Sequence, residues 1–525
     1  MRNILSLTSL IVFVGIALLL WFAIGNRLLL GTNDEGIYLD AAQRILHGQK
    51  PYVDFFGYMA PGSFWVEALS LRLFGETVAA GRLPVLLYFA AQCALLYWLV
   101  ARLTSVGPAI LALFLYFAFQ TADLTLLTAQ HRWDSSALSL AAIATGLEGQ
   151  LQRRKGWFVA SASLIVLSAI FTPSVGLVAV ITLGWLVLKR ELRFAIAPYL
   201  IGATLMGVVL LAALYANGIL FALAAQLSWL SKNYSGVNVM PYGAIIGGYR
   251  ALLEGSGAEF VLRASIIFCI ALPAILPVVS VVACLVLVWR RVSRPEKGAP
   301  GLRDSFIYLT ACSCALVFST YPRPDVTHLA YIAPLPYALG AVACVFLLGS
   351  GARLALTMFL SLFAAIFLWN TSRSVVHTTS IATPAGIVRV SLADQPYVES
   401  LLVSVKPGDS LFVYPYRPLL YFLTAGNNPT RYSYLMPGMM TAIDEQSALT
   451  DLRRSPPEWL LFADLPLSEY LRVFPGADSK RLHLAGLEQW IRQNYSDSAS
   501  PPISIVGYTV MRRTVTRPIS FVQDK

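Results

Sequence analysis

QLQRRKGWFVASASLIVLSAIFTPSVGLVAVITLGWLVLKRELR, residues 150–193, decides how this chain is threaded. The basic clusters QRRKG and KRELR flank the apolar stretch 157–188. Read as one tilted helix, that stretch puts the two clusters on opposite sides of a bilayer. Read as two helices joined at Thr172-Pro173, it puts them on the same side. Proline lacks an amide hydrogen and its ring collides with the preceding turn, so a break there is permitted. Charge decides between the two. With the split, segments 1–3, 102–106, 150–156, 189–193, 290–304 and 349–353 carry 14 Lys and Arg in 40 residues. Segments 26–82, 122–133, 218–263 and 321–328 carry 10 in 123. Lys and Arg accumulate in short cytoplasmic loops. The split therefore places the N-terminus inside and everything after the last span outside.

The rest of the chain reads outward from that choice. Spans are expected near 4–25, 83–101, 107–121, 134–149, 157–171, 174–188, 194–217, 264–289, 305–320, 329–348 and 354–369, about eleven in all. Apolar residues make up 57% of the 525 and charged residues 13%. A soluble domain carries about 25% charge. The net charge of +11 sits beside the apolar blocks. It records orientation and gives no footprint for nucleic acid. The first apolar run is longer than a signal-peptide core and has no small-x-small cleavage pattern, so it reads as an uncleaved span. All six cysteines lie in apolar blocks, which leaves no disulfide framework and no thiolate metal site.

Two stretches outside the spans have helical periodicity. GIYLDAAQRILHG spaces Ile37, Ala41, Ala42, Ile45 and Leu46 on one face and stops at Gly48. PGSFWVEALSLRLFG repeats the pattern between Pro61 and Gly75. Both read as amphipathic helices lying in the interface plane. From about residue 371 the composition becomes that of a soluble domain. DSLFVYPY, PEWLLFAD and ISIVGYTVMRR read as strands; 395–405, 415–425 and 480–494 read as helices. The expected architecture is an all-α multi-pass membrane domain, 1–370, followed by a small soluble α/β domain, 371–525.

Charge is nearly absent from the span interiors and gathers at their outer ends. A coupled transporter keeps ionisable groups near the midplane, so transport or lipid flipping is the weaker reading, as is a non-catalytic scaffold. Asp34, Glu35, Asp40, His47 and Asp54 lie in the first outer loop. Asp123, His131, Arg132 and Asp134 lie in the second, and Arg323, Asp325 and His328 in YPRPDVTHL. All five histidines, including His377 and His483, fall on this side.

Three features together resemble the polytopic glycosyltransferases of the C superfamily (GT-C). That group includes the protein O-mannosyltransferases and the transferase that adds aminoarabinose to lipid A. The features are NDEGIYLDAAQRILHGQKPYVDFF directly after the first span with APG at 60–62, HRWDSSALSLAA at the start of the fourth span, and the overall plan of 1–370. The resemblance implies a sugar donor carried on a polyprenyl phosphate and a glycan, lipid or protein acceptor. It implies a bacterial cytoplasmic membrane and an acceptor in the envelope, lipopolysaccharide among the candidates. It makes Asp34 the candidate base, with Glu35 and Asp134 as accompanying acids. A hydroxyl is a poor nucleophile until a carboxylate takes its proton. The departing lipid phosphate needs cations, for which His131, Arg132, Lys232, Arg250, Arg323 and His328 are placed on the correct side. Some relatives use a divalent cation, and Asp325 and His328 could supply two ligands. No residue spacing here demands a metal.

The threading generates its own test. Reporter fusions at Gly351 and Gln395 should report opposite compartments, and fusions reporting the same compartment would show the span count to be wrong.

Overall fold

The computed structural model describes residues 2–30, 34–245, 248–293, 301–435, 438–478, 484–498, 504–505 and 507–514. Asn33, His483 and the connector 294–300 lie outside them. The decisive stretch forms two helices, Lys155–Ala169 and Leu177–Leu188, separated by a 3₁₀ turn at Pro173–Gly176. Among the described residues, six helices are long and apolar enough to cross a bilayer by themselves: Ile4–Ile24, Val78–Leu103, Arg190–Ala216, Leu272–Trp289, Leu302–Ser319 and Ser350–Val376. The other five expected spans are occupied by the shorter apolar helices Val106–Gln120, Lys155–Ala169, Pro173–Leu188 and Pro334–Leu347 and by His131–Gln152. Side chains such as Leu7, Phe22, Leu205, Val209, Met358 and Trp369 point outward from the bundle. Such a surface suits hydrocarbon, where every backbone polar group must be satisfied inside a helix. The chain is a multi-pass membrane protein.

Two expected spans are interrupted, each beside a proline. The stretch 264–289 consists of Ala258–Ile270 and Leu272–Ser293, with Pro273 in the first turn of the second helix. The stretch 329–348 begins as the short helix Val326–Tyr331 and restarts as Pro334–Leu347. A first-turn proline loses no bond, because its missing N–H would have had no partner there.

After Ser350–Val376 come a hairpin, Thr378–Thr383 against Gly386–Ser391, and a five-stranded sheet. The sheet order is Leu411–Tyr414, Trp459–Phe462, Tyr508–Arg513, Tyr495–Asp497, with Ser504–Ile505 also pairing to Tyr508–Arg513. The first two strands are parallel, and the Ala442–Arg454 helix lies between them in sequence. That helix starts at a capping box, Thr441 and Asp444 each closing on the other's backbone N–H. The expected helices appear as Gln395–Ser404, Leu419–Thr424 and Ala485–Asn494.

The amphipathic helices Asp34–Leu46 and Gly62–Phe74 both form. The first does not lie on a lipid surface, however. It is packed between Gly62–Phe74 and Leu419–Thr424, and even Asp40 and Arg44 are buried. Arg44 pairs with Asp40 at 2.9 Å and donates to the Thr430 carbonyl at 3.3 Å, while Ser433 donates to Asp40. Ile37, Tyr38, Phe55 and Phe64 share one apolar cluster with Phe412, Tyr434, Leu460 and Ile491. The C-terminal sheet is thus seated on the first loop through a common core.

Gly36 marks the closest approach: a Cβ there would lie 1.9 Å from the Leu419 main-chain nitrogen. Gly36→Ala should therefore force the two segments apart. Overpacking typically costs about 1–3 kcal/mol. The expected result is a lower melting temperature together with faster proteolysis after residue 405. A variant with wild-type stability would show that this contact does not hold the segments together.

Candidate active site

The Asp34–Leu46 helix begins at the end of the bundle where the His131–Gln152 helix also begins. Gln130 joins the two starts by donating to the Asp34 carboxylate at 3.0 Å. Tyr38, one turn along from Asp34, meets His131 Nδ1 at 2.6 Å through its hydroxyl. Trp133, fully buried, donates to the Leu126 carbonyl and stands edge-on to Tyr331 at 4.9 Å. That anchor holds the first turn of the His131–Gln152 helix, and with it His131, Arg132 and Asp134.

A second wall comes from two connections fastened to each other. Main-chain bonds run from Met240 to Pro322, from Gly243 to Pro324 and from Val326 to Ala244. They bring Asn238 onto Arg323 Nη1 at 3.0 Å, while Arg323 Nε reaches Asp325 at 3.3 Å. Asp325 caps the Val326–Tyr331 helix by accepting from the His328 N–H, and it also bonds the His328 ring. Arg132 donates to the Ser319 carbonyl at 3.2 Å, and its buried Nε has no protein partner among the described residues.

These groups act on one another. Asp34 lies within electrostatic reach of His328 and Arg323, and His328 within reach of Arg132 and Arg323. Burial pushes the Asp34 carboxyl above its ordinary range, and the His328 and Arg323 charges only partly oppose the shift. Asp325 shows the opposite balance. Burial works to raise it, but the His328 bonds and Arg323 outweigh burial and hold it below the ordinary range. Tyr38, Tyr58, Tyr234, Tyr331 and Tyr434 all feel the Asp34 charge. The carboxylate thus sits half-buried in a tyrosine cage, with cations on one side.

The candidates from the sequence divide accordingly. Asp34, His131, Arg132, Arg323 and His328 are brought together. Asp134 lies one step away. It accepts from Ser63 and from the Ser135 N–H, and Tyr38 lies within electrostatic reach of both acids. Glu35 is removed from the set. It is fully buried, and both its oxygens are bonded to Arg82 at 2.6 Å. Adjacent helix positions point about 100° apart, so the neighbour of a site residue turns away from the site. Lys232 and Arg250 are exposed and stand outside the buried cluster. Asp325 and His328, the pair offered as metal ligands, are spent on each other. Among the described residues, no group of three or more His, Cys, Asp and Glu could hold a metal ion.

Sequence reasoning missed Gln130, Asn238 and the tyrosine cage. The cage had a faint signal, the aromatic density of 218–263 and of the segment RYSYL, 431–435. Nothing local, however, assigned these aromatics to Asp34.

No protein-family model matches the chain. No curated protein matches it either. Solved structures do. ArnT from Cupriavidus metallidurans, crystallised with undecaprenyl phosphate bound, superposes with a TM-score of 0.54 at 14% identity over 97% of this chain and 98% of that one. The apo oligosaccharyltransferase of Archaeoglobus fulgidus superposes with 0.51 at 12% identity over 91% of this chain and 72% of that one. The chain shares its fold with these two proteins.

The desolvation of Asp34 is measurable. Infrared difference spectra of the wild type against Asp34→Asn should show a carboxyl titrating above the ordinary aspartate value of 3.8. Arg323→Gln should move that midpoint higher still, because it removes a cation that favours the charged form. A wild-type midpoint at or below the ordinary value would overturn this account of the site.

Proposed function

We propose that this protein transfers a sugar from a polyprenyl-phosphate carrier to a hydroxyl of an envelope glycan, lipid or protein at the outer face of a bacterial cytoplasmic membrane. The observation that carries the reading is the half-buried Asp34 carboxylate within electrostatic reach of Arg323 and His328, with Arg132 and His131 next to His328, in a fold shared with a protein crystallised with undecaprenyl phosphate bound. The excess of Lys and Arg in the opposite loops supports the outer placement.

In this reading Asp34 takes the proton of the acceptor hydroxyl as its oxygen bonds to the anomeric carbon. The bond from that carbon to the phosphate oxygen breaks on the other face, giving inversion. Desolvation makes Asp34 a stronger base than a surface aspartate. Gln130 fixes which oxygen it presents. The electron pair leaves on the lipid phosphate, whose growing charge is met by Arg132 and by Arg323, the latter oriented by Asn238 and Asp325. The unpartnered Nε of Arg132 is a donor in waiting for such an oxygen. Asp134 and Ser63 line the next stretch of wall and hold the acceptor side.

Asp34→Asn separates a base from a helix cap. Asparagine caps about as well as aspartate, so folding and donor binding should persist, while turnover should fall roughly 10²–10⁴-fold. Arg132→Ala should instead weaken donor binding as well as turnover. A well-folded Asp34→Asn protein that transfers sugar at the wild-type rate would end the assignment of Asp34 as the base.

A further inference from the structure

Tyr434 belongs to the C-terminal sheet region, yet its ring stands inside the site. Two sets of contacts hold it there. On one side it bridges to Tyr416, and the Leu435 N–H donates to the Pro415 carbonyl at 2.8 Å. On the other, the flanking residues are fastened to the Asp34–Leu46 helix: Ser433 donates to Asp40, and the Thr430 carbonyl accepts from Arg44. The helix that carries Asp34 and the segment that carries Tyr434 are therefore locked in register. The Tyr434 ring is 1% exposed and edge-on to Phe56 and Tyr58, each 5.8 Å away.

Its hydroxyl is buried and makes no hydrogen bond among the described residues. The Tyr58 main-chain N–H faces its oxygen, and that approach leaves the phenolic proton unused. Tyr337, far from Asp34 in the membrane bundle, also has an unpaired buried hydroxyl, but several buried tyrosines near the site spend theirs. Tyr38 meets His131, Tyr52 donates to the Met59 carbonyl, and Tyr414 donates to Glu488. A buried O–H without an acceptor is costly and therefore rare. Tyr434 also feels the Asp34 charge without bonding to it. That combination puts a donor without an acceptor within electrostatic reach of the Asp34 carboxylate.

We propose that Tyr434 is a substrate-binding residue, whose hydroxyl donates a hydrogen bond to an oxygen of the substrate held beside Asp34. The inference rests on the glycosyl-transfer reading and deepens it, because it assigns the C-terminal region a part in the reaction. Sugars are rich in such oxygens, and the bound oxygen belongs either to the donor sugar or to the acceptor. Burial keeps the phenol protonated, so it remains a donor and does not compete with Asp34 as a base.

The test is Tyr434→Phe in the full-length protein reconstituted in lipid. The probes are undecaprenyl-phosphate-linked pentoses and hexoses, with extracted envelope lipid and glycan as acceptors. The substitution removes a hydroxyl whose proton no protein group accepts, so the melting temperature without substrate should change little. kcat/KM should fall roughly tenfold, the value of one hydrogen bond at the upper end of its usual range. A rise in donor KM, with faster loss of donor from the complex, assigns the contact to the sugar. A rise in acceptor KM, with hydrolysis of the donor by water unchanged, assigns it to the acceptor. Unchanged kcat and both KM values, in a preparation where Asp34→Asn is inactive, would overturn Tyr434 and leave the transfer reading intact. If the wild type turns over none of the probes, the transfer reading fails, and Tyr434 is then judged by binding. A probe that raises the melting temperature of the wild type more than that of Tyr434→Phe supports the contact. Equal shifts, or no shift in either protein, overturn it.

Discussion

Arg82 and Glu35 form a pair with no solvent exposure on either side chain. Arg82 Nε and Nη2 hold both Glu35 oxygens between 2.6 and 2.8 Å. Its Nη1 takes the Ile24 carbonyl at 3.0 Å and also the Arg27 carbonyl. One guanidinium thus ties the end of the Arg2–Ile24 helix, the first turn of Asp34–Leu46 and the start of Val78–Leu103. Removing one partner of such a pair strands a charge where water cannot reach it, which typically costs about 3–5 kcal/mol. The pair adds little net stability over an apolar substitute, but it specifies one geometry. Because Glu35 cannot turn, its neighbour Asp34 is held facing the cluster built by His131–Gln152 and by residues 321–331.

The remainder of the site follows from placing charge in a dry environment. Asp34 is desolvated by the same packing that buries Glu35, and the tyrosines around it supply rigid, weakly acidic donors. Arg132 and Arg323 both lie within electrostatic reach of His328, and burial pushes His131 and His328 towards their neutral forms, while Asp325 and Asn238 hold Arg323. Two arginines flanked by imidazoles that can donate hydrogen bonds are complementary to an anion. In a water-poor space each such interaction is stronger than at an exposed surface. The next acid on that helix, Asp134, stays separate because Ser63 and the Ser135 N–H satisfy it.

The C-terminal region depends on the same helix. Asp40 and Arg44, two turns beyond Asp34, face away from the cation cluster and bond the segment 430–433. Gly36 lets the main chain at Pro418–Leu419 approach more closely than any side chain would permit. One face of this single helix therefore serves the site, and the other holds the sheet in place. An interfacial helix with a lipid-facing side could not do both.

The threading was legible in the sequence because it is written in local quantities: the length of an apolar run, the position of a proline, and the side on which Lys and Arg collect. Asp34, His131, Arg132, Arg323 and His328 could be named as candidates because charge beside a span end is unusual and visible. The sequence could not tell Asp34 from Glu35, since one helical step separates a site-facing carboxylate from one committed to an arginine 47 positions later. It could not exclude Lys232 and Arg250, because exposure depends on how the 218–263 connection folds back. It also gave no sign that Gln130 and Tyr434 come to Asp34, and Asn238 to Arg323, from distant parts of the chain. Hydrophobic length and charge asymmetry are properties of a segment and its solvent, so the sequence alone determined the span plan and the list of charged candidates. Which of those residues meet, and which are spent holding helices together, depends on contacts between segments far apart in the chain, and only the tertiary structure decided it.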